Sequence, residues 1–585
     1  MHPEADLGRL VESVGAAHRR SGLPAPRRPW LPPMVTDLSI AAGEDGRVLV
    51  GRAARDEAAV PGSTPDAVTV LPSPGRLALG LVDVPARQEQ EAFVLDYGRV
   101  GHLLVFGASG SGKTELLRTV AVAATVCHEA APALVYAIDA GGGGLSVLEV
   151  LPSVGSVVVE QAPERVQRLI RMLHRTVTER NQLLAARGAA DLAALQEQGV
   201  PMPRVHLLVD NLPALLDSLE QGGSLRRAHV DQLLTVLQEG RRCGVHVTAT
   251  TPRRTGVPSA MQAAFGERLV LRMTTSDDYQ MLGVPDGVLD ADSAPGRGLL
   301  GRHEVQVASV GDAGTPAQAA RLAELAAGYA DRYAAAPAVV VPAMPTRLPA
   351  DRLPAPVADE VCLGVDAEFA SAVTLRLTDA PLLVTGRAGS GRTALLTGLA
   401  ELARRSSVPP VRTVLVGPRA AAAATPDVDL VLDDPSAAAG WVDELLASVP
   451  SGPGADADDW TLVLLDDCHE WERGWESGDA RRTAAERLAA LVDGARARRV
   501  AVVVATDPDD ARARQHVAGP VAAARRSRRA VLLAPEMADG GLVAASVPLH
   551  SHEPLTGPGR GLLVAAGAVR VVHVLSPSSE RESVR

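Results

Sequence analysis

Short, wholly apolar runs alternate along this chain with longer stretches in which apolar positions recur every three to four residues. Apolar runs of about 4–8 residues are typical of buried strands, and the longer period is typical of amphipathic helices. In two places an apolar run, a glycine-rich loop and a helical stretch follow one another: GHLLVFG leads to TELLRTVAVAA, and APLLVTG leads to TALLTGLAELA. This alternation predicts an α/β protein whose parallel sheets are flanked by helices.

Four landmarks occur twice in the same order, which predicts two copies of one module. The glycine-rich loop is the first, and the second is an apolar strand with a polar end, VHLLVDN at 205–211 and TLVLLDD at 461–467. The third is another apolar strand, found within RRCGVHVTATTPRR and RARRVAVVVATDPDDAR. The fourth is a short glycine motif, APGRGLL at 294–300 and GPGRGLL at 557–563.

The landmarks and the shifts in composition divide the chain into five predicted segments. Residues 1–80 are an N-terminal extension with one helical stretch, and residues 81–333 form the first module. Residues 334–356, rich in Pro and Ala, are predicted to be an extended linker. Residues 357–575 form the second module, and residues 576–585 are predicted to be a disordered tail.

Composition narrows the class of protein. A chain of 585 residues exceeds what a single core holds, in agreement with two modules. The net charge of −11 argues against a broad nucleic-acid-binding surface, although a small basic pore inside an assembly stays possible. The four cysteines are scattered, and neither a signal peptide nor a run of about 18 apolar residues is present. We therefore expect a cytoplasmic protein with no direct membrane span.

The first glycine-rich loop, GASGSGKT at 107–114, fits the phosphate-loop pattern G-x-x-x-x-G-K-[ST]. Lys113 is the single lysine among 58 Lys and Arg residues, and its ammonium would reach the β- and γ-phosphates. The Thr114 hydroxyl would bind Mg²⁺, so the expected ligands are ATP and Mg²⁺. The residues whose backbone would curl around the phosphate oxygens are Gly107, Ala108, Ser109, Gly110, Ser111 and Gly112.

The strand at 205–211 supplies the polar groups that a magnesium nucleotide requires. Asp210 would bind Mg²⁺ together with Thr114. Asn211 follows it, and an amide can hold a water molecule but cannot accept its proton. A general base contributes about 10²–10⁴-fold to the rate, and Asn211 cannot act as one. We therefore expect this module to bind ATP tightly and to hydrolyse it slowly. Thr251 is a candidate sensor of the γ-phosphate, and a turn residue at a strand end is an equally good interpretation.

The second loop, GRAGSGRT at 386–393, has Arg392 at the position of the lysine. It keeps three of the usual residues, Gly386, Gly391 and Thr393. A guanidinium is bulkier and less able to fit beneath the phosphates. Losing one charged hydrogen bond costs about 1.5–3 kcal/mol, or about ten- to a hundredfold in affinity. Asp466 and Asp467 still supply an acidic pair. We therefore expect an impaired or lost nucleotide site, with a scaffolding or docking role.

Several stretches resemble tandem FtsK/SpoIIIE-type ATPase modules, and in particular the second and third modules of actinobacterial EccC-like motors of type VII secretion. In the first module they are LGLVDVPARQEQEAFVLDYGRVGHLLVFGASGSGKTELLRTV, VYAIDAGGGGLSVLEVLPSVG, EGRRCGVHVTATTPRR and APGRGLL. RPWLPPM and the second-module LLVTGRAGSGRTALL are also similar, and the resemblance covers most of residues 20–575. It implies a RecA/FtsK-like P-loop NTPase fold.

The resemblance also implies a homo-oligomer, or a ring with a membrane-linked motor subunit, in which intrinsic ATP hydrolysis is weak. Three functions stay open. The first is a secretion motor subunit that carries a secreted helical-hairpin protein, associated with the membrane through its partners. The second is a DNA translocase of the FtsK/SpoIIIE type. The third is a nucleotide-dependent scaffold without transport. The negative charge, and the lack of an evident DNA-reading winged helix, favour the first or third.

Overall fold

The computed structural model of the protein separates into two compact units. Unit 1 comprises Met1–Val166, Ile170–Ser218 and Val230–Val340, and unit 2 comprises Gln167–Leu169, Leu219–His229 and Val341–Arg585. The residues that the structure describes are 3–22, 31, 33–42, 48–52, 67–70, 73–127, 131–220, 224–311, 315–355, 357, 359–366, 371–405, 411–447, 460–472, 480–514, 516–545, 555, 557–565 and 567–578.

The first part of the chain contains the strands β1 (Leu38–Ala42), β2 (Val48–Arg52), β3 (Ala67–Val70), β4 (Arg76–Val84), β5 (Glu89–Asp96), β6 (Leu103–Phe106), β7 (Leu134–Asp139), β8 (Val154–Val159), β9 (Val205–Asp210), β10 (Val245–Thr251), β11 (Glu267–Leu271), β12 (Arg297–Leu300) and β13 (His303–Val307). Its helices are α1 (Pro3–Ser21), α2 (Tyr97–Val100), α3 (Lys113–Val126), α4 (Pro163–Arg187), α5 (Leu192–Glu197), α6 (Leu212–Glu220), α7 (Ser224–Glu239), α8 (Ser259–Ala264), α9 (Ser276–Met281) and α10 (Pro316–Ala334).

The second part contains the strands β14 (Glu360–Asp366), β15 (Ala372–Arg376), β16 (Leu382–Thr385), β17 (Val411–Val416), β18 (Leu430–Leu432), β19 (Trp460–Asp466), β20 (Val500–Thr506), β21 (Ala530–Leu533), β22 (Arg560–Ala565) and β23 (Ala568–Val574). Its helices are α11 (Arg392–Arg404), α12 (Ala420–Ala423), α13 (Pro435–Ala447), α14 (Ala480–Gly494), α15 (Pro508–Ala513) and α16 (Pro520–Arg525).

Each unit is built on a ten-stranded mixed sheet flanked by helices. The strand order is β5-β4-β13-β12-β11-β6-β10-β9-β7-β8 in unit 1 and β15-β14-β23-β22-β21-β16-β20-β19-β17-β18 in unit 2. The two orders correspond strand for strand, and the predicted tandem α/β fold is confirmed. In both sheets the six strands at one end are parallel, while the other four are antiparallel, which the sequence pattern did not predict.

The parallel strands place the polar residues of the landmarks at one edge of the sheet. Strands β6, β9 and β10 are buried along their whole length, including the His and Thr side chains that interrupt the apolar runs of β9 and β10. Helix α3 begins directly after the loop that follows β6, and nearly all of its residues are buried. Since parallel strands end at the same edge, the loops after β6, β7, β9 and β10 converge there, where ligands bind in such sheets.

Three of the predicted segments contain strands, core residues or hydrogen bonds of the two units. Within the predicted extension, β1, β2 and β3 form a separate antiparallel sheet, and β4 of the main sheet begins before residue 81. The predicted linker contributes Leu348, Ala350 and Leu353 to the buried core of unit 2. In the predicted tail, the Ser576 amide donates to the Leu348 carbonyl, whereas residues 579–585 lie outside the described residues.

Two further sequence-based expectations bear on the class of protein. All four cysteines are buried free thiols, as expected from their scattered positions. In the part of the chain that the structure describes, every helix is too short or too polar to cross a bilayer.

Candidate nucleotide-binding site

The first glycine-rich loop is held between the ends of β10 and β11. The Gly107 amide donates to the Thr251 carbonyl at 3.1 Å, and the Ala108 amide donates to the Arg272 carbonyl at 2.7 Å. These bonds continue the parallel ladders on both sides of β6 into the loop. The sheet therefore sets the position of the loop before any ligand arrives.

The PGRG motif forms a second loop, whose backbone packs against the phosphate loop and is hydrogen-bonded to it. Gly112 has a φ of +100°, and a Cβ at this position would lie 2.7 Å from the Gly296 nitrogen. The Gly296 amide donates to the Ser111 carbonyl at 2.8 Å. Unit 2 repeats the contact, since the Gly559 amide donates to the Ser390 carbonyl at 2.9 Å. The fourth repeated landmark is thus part of each loop's support.

Lys113 lies folded over the loop. Its Nζ donates to the carbonyls of Gly107 and Ala108, both at 2.7 Å. An ammonium has three donors, so one is left for an anion. Burial lowers the pKa of Lys113, and the Asp210 carboxylate opposes this shift. The backbone amides of Gly112 and Lys113 have no acceptor among the described residues, as expected of a helix N-terminus that fits phosphate.

Thr114 and Asp210 meet as the motifs predicted, and Thr250 joins them. The Thr114 hydroxyl donates to Asp210 Oδ2 at 2.7 Å, and the Thr250 hydroxyl donates to Asp210 Oδ1 at 2.6 Å. The Asn211 amide in turn donates to Thr250 Oγ1 at 2.8 Å. Hydroxyl and carboxylate oxygens are ligands that Mg²⁺ prefers, so Thr114 and Asp210 fit the ion. Sequence reasoning did not find Thr250, which orients this carboxylate.

Asn211 and Thr251, the other two candidate residues, differ in their backbone conformation and hydrogen bonds. Asn211 has a φ of +65°, and its side-chain amide donates to the Ala140 carbonyl at 3.3 Å. Thr251 is fully buried, and its hydroxyl donates to the Arg253 carbonyl at 2.7 Å. The Thr251 hydroxyl therefore closes the turn after β10, and its role as a γ-phosphate sensor stays a prediction.

Several of the candidate residues line one cavity of about 720 Å³, a size typical of small-molecule sites. Its lining includes the predicted site residues Lys113, Thr114, Asp210 and Asn211. The rest of the wall comes from Thr36, Asp37, Leu38, Ser109, Gly110, Gly112, Glu115, Arg118, Gly141, Pro252, Ala294, Pro295, Gly296, Gln306, Val307, Ser309 and Gly311. The cavity is thus larger than the motif residues alone define.

In unit 2 the arginine of the corresponding loop pairs with the acid that follows β19. Arg392 Nη1 donates to Asp467 Oδ1 at 2.7 Å, and both side chains are 13 % exposed. The Thr393 hydroxyl donates to Asp466 Oδ2 at 2.8 Å, which matches the pair in unit 1. Because the guanidinium is already neutralised by Asp467, a phosphate would have to compete with this carboxylate.

The acidic residue of unit 2 also lacks the support found in unit 1. In register, Asp466 lies beside Ala505, where unit 1 has Thr250. Asp466 Oδ1 is buried without a hydrogen-bond partner among the described residues, and burial raises the pKa of this carboxyl. The alanine is visible when the two repeats are aligned, as VHVTATT against VAVVVAT. Two features of the second site therefore disfavour a magnesium nucleotide.

Replacing Thr250 with alanine should leave Asp210 without a hydrogen-bond donor on β10, as Asp466 is in unit 2. Without the charge-assisted bond to Asp210, we expect the affinity for Mg²⁺–ATP to fall about 10- to 100-fold. Affinity for ATP without Mg²⁺ should be unchanged, because the phosphate loop is intact. Titration calorimetry at several Mg²⁺ concentrations measures the difference. Thr248→Ala is a matched control, since Thr248 is also buried on β10 but bonds Tyr97. An equal loss in both variants would contradict the role of Thr250.

Parts of the chain are similar to known proteins. Residues 76–306 match the model of the FtsK/SpoIIIE family. The chain is 29% identical over 416 residues to the ESX-3 secretion system protein EccC3 of Mycobacterium tuberculosis, an alignment covering 68% of this chain and 28% of that protein. It is 28% identical over 370 residues to the ESX-1 secretion system protein EccCb1 of Mycolicibacterium smegmatis, covering 58% and 60%. The chain therefore spans under a third of EccC3.

Solved structures of tandem ATPase domains have a similar fold. The protein superposes with a TM-score of 0.69 on ATPases 2 and 3 of EssC from Geobacillus thermodenitrificans, at 16% identity, covering 94% of this chain and 100% of that one. The TM-score is 0.58, at 21% identity and the same coverage, for ATPases 2 and 3 of Thermomonospora curvata EccC in complex with a signal sequence peptide. These comparisons confirm the resemblance inferred from the motifs.

Proposed function

Residues 76–306 are an FtsK/SpoIIIE-family domain in a chain homologous to the EccC proteins of ESX secretion systems, and from this we propose a type VII-like secretion motor subunit. Unit 1 of this subunit binds ATP and Mg²⁺, and unit 2 docks a protein. The observation that carries the proposal is that Lys113, Thr114 and Asp210 line one cavity, with Thr114 bonded to Asp210.

Different residues of unit 1 bind the phosphates and the Mg²⁺ ion. The amides of Gly112 and Lys113 and the Lys113 ammonium bind the phosphate oxygens at the start of α3, where the helix dipole also favours an anion. Thr114 and Asp210 hold Mg²⁺, which neutralises charge on the phosphates. Thr250 keeps the Asp210 carboxylate in place.

ATP hydrolysis by the chain alone is slow. Asn211 lines the cavity next to Asp210, and we assign it the role of the residue that would hold the attacking water. Its side-chain amide orients a water molecule without taking the proton. Bound ATP thus stabilises the geometry of unit 1, and turnover depends on residues that a partner supplies.

Unit 2 serves as a docking module. Its loop is neutralised internally by the Arg392–Asp467 ion pair, so it has little affinity left for a triphosphate. The T. curvata structure of ATPases 2 and 3 contains a signal sequence peptide, and we extend that type of ligand to unit 2 of this chain. The expected partner is a small secreted helical-hairpin protein.

The subunit works in a larger assembly. The relatives EccC3 and EccCb1 are named as proteins of secretion systems, and the expected partner of this chain is a membrane-linked motor subunit. Two arrangements fit, a homo-oligomer and a mixed ring with that subunit. In either case the protein resides in the cytoplasm and reaches the membrane through its partner.

A binding assay separates this function from DNA translocation. The full chain is immobilised with ATP and Mg²⁺ and offered small helical-hairpin proteins encoded beside it. We expect one of them to be retained, and the Arg392→Ala variant to retain it equally if docking does not use the loop. Duplex DNA is titrated in parallel between about 50 and 200 mM salt. Strong DNA binding with a steep salt dependence, and no retained protein, would favour a translocase instead.

A further inference from the structure

A segment near the N-terminus also lines the unit 1 cavity. We propose that Thr36–Leu38 bind the ribose and base of the nucleotide, and that Arg297 is the residue that positions this segment. The inference rests on the proposed function, because it assigns the nucleoside half of the same ligand. Neither the phosphate-loop pattern nor the acidic strand predicts it.

Buried residues anchor the segment on both sides of the cavity wall. Met34, Leu38 and Ile40 are 5 %, 2 % and 1 % exposed. The Ser309 amide donates to the Leu38 carbonyl at 2.7 Å, and the Ile40 amide donates to the Ser309 carbonyl at 2.9 Å. Between these anchors, Thr36 and Asp37 are exposed and line the cavity. The segment is therefore a fixed wall whose two polar side chains are available to a ligand.

Arg297, the arginine of the PGRG motif, connects this wall to the phosphate loop. Its Nη2 donates to the Met34 carbonyl at 2.6 Å, and its other nitrogens donate to Gln306 at 3.0 Å and Glu304 at 2.7 Å. The preceding residue, Gly296, donates to the phosphate loop at Ser111. Gly296 and Arg297 thus bond the phosphate loop and the segment that carries Thr36–Leu38.

Unit 2 builds the same wall from the predicted linker. The Ser576 amide donates to the Leu348 carbonyl, and the Ala350 amide donates to the Ser576 carbonyl, both at 2.8 Å. Thr346, Arg347 and Leu348 line a cavity of about 740 Å³. The repeated sequence is Thr-x-Leu, with Asp37 in unit 1 and Arg347 in unit 2. The wall is therefore part of the module, and its variable residue has opposite charge in the two units.

The chemistry of the unit 1 wall fits a nucleoside. With the phosphates held at Gly107–Thr114, the remaining cavity has to accept the ribose and base. The Asp37 carboxylate accepts hydrogen bonds only, and the ribose hydroxyls and an exocyclic amine are donors. Thr36 can donate or accept, and Leu38 adds apolar contact. Such a wall distinguishes a nucleoside triphosphate from a bare polyphosphate.

Inorganic tripolyphosphate tests this assignment, because it occupies the phosphate loop and lacks a nucleoside. We measure the affinity of the full chain for Mg²⁺–ATP and for Mg²⁺–tripolyphosphate by calorimetry. Asp37→Ala and Arg297→Ala should each lower the affinity for ATP about tenfold or more and leave tripolyphosphate binding unchanged. Arg302→Ala, at an exposed arginine on the turn between β12 and β13, should change neither.

The possible outcomes separate the two levels of the proposal. Equal losses for both ligands in Asp37→Ala, or no loss at all, would overturn the nucleoside wall. If only Arg297→Ala loses both ligands equally, its role as a positioning residue for the wall is wrong. If the unmodified chain binds tripolyphosphate as tightly as ATP, the inference fails while the phosphate site stands. If it binds neither ligand, the proposed function fails and this inference with it.

Discussion

Lys113→Ala is expected to lower the affinity of the full chain for Mg²⁺–ATP by about 10- to 100-fold or more. The ammonium is the charged side chain that the phosphate loop itself directs at the ligand, and a charged hydrogen bond contributes about 1.5–3 kcal/mol. Alanine keeps the helix, because it has the highest helix propensity and α3 begins at this position. Titration calorimetry with ATP and Mg²⁺ measures the loss directly.

Arg392→Ala is the matched control, since it removes the corresponding side chain from unit 2. We expect this variant to bind ATP as the unmodified chain does, because Arg392 is occupied by Asp467. ATP binding that remains in Lys113→Ala and disappears in the double variant would show that unit 2 holds nucleotide. Unchanged ATP affinity in Lys113→Ala would contradict the assignment of the nucleotide to unit 1.

Asn211→Glu is expected to raise ATP turnover by the full chain about 100-fold. A positioned general base contributes about 10²–10⁴-fold, and we expect the lower end because the site is not shaped for the longer side chain. Asn211 has a left-handed backbone, which asparagine tolerates well and glutamate less well. The strain costs about 1 kcal/mol or more of stability. A coupled assay of phosphate release at saturating ATP measures the rate.

The Asn211→Gln variant distinguishes the effect of a general base on turnover from the effect of a longer side chain. Glutamine has the size and backbone strain of glutamate but accepts no proton, so turnover should stay at the level of the unmodified chain. If both variants gain equally, side-chain length and not basicity limits the reaction. If the unmodified chain already turns over at about 10 s⁻¹, the median for enzymes, slow hydrolysis is the wrong expectation.

Much of the unit 1 site could be predicted because its parts are local or end a buried strand. The loop at 107–114 is one continuous motif, and its φ-positive glycines and helix start follow from the residues themselves. Asp210 was predicted because an acid that ends an apolar strand must emerge at the edge of the sheet. Thr114 then meets Asp210 at 2.7 Å, although 96 residues separate them.

Other parts of the site depend on contacts that leave no local pattern. Thr250 and Thr251 are adjacent and chemically equal, but only Thr250 faces Asp210, because successive side chains of a strand point to opposite faces. Likewise, Asp467 was predicted to form an acidic pair with Asp466, and the fold brings its carboxylate to Arg392. A pairing between side chains 75 residues apart has no signal in either segment.

By itself, the sequence determined the α/β class, the duplication, the intact first loop and the altered second one. Those features lie in periodicity and in short continuous motifs, where residue type dictates backbone shape. Tertiary structure alone decided that four antiparallel strands extend each sheet, and that the predicted extension and linker each close a cavity. The physical reason is that such closure depends on backbone hydrogen bonds, as between Leu38 and Ser309, which any residue but proline can donate.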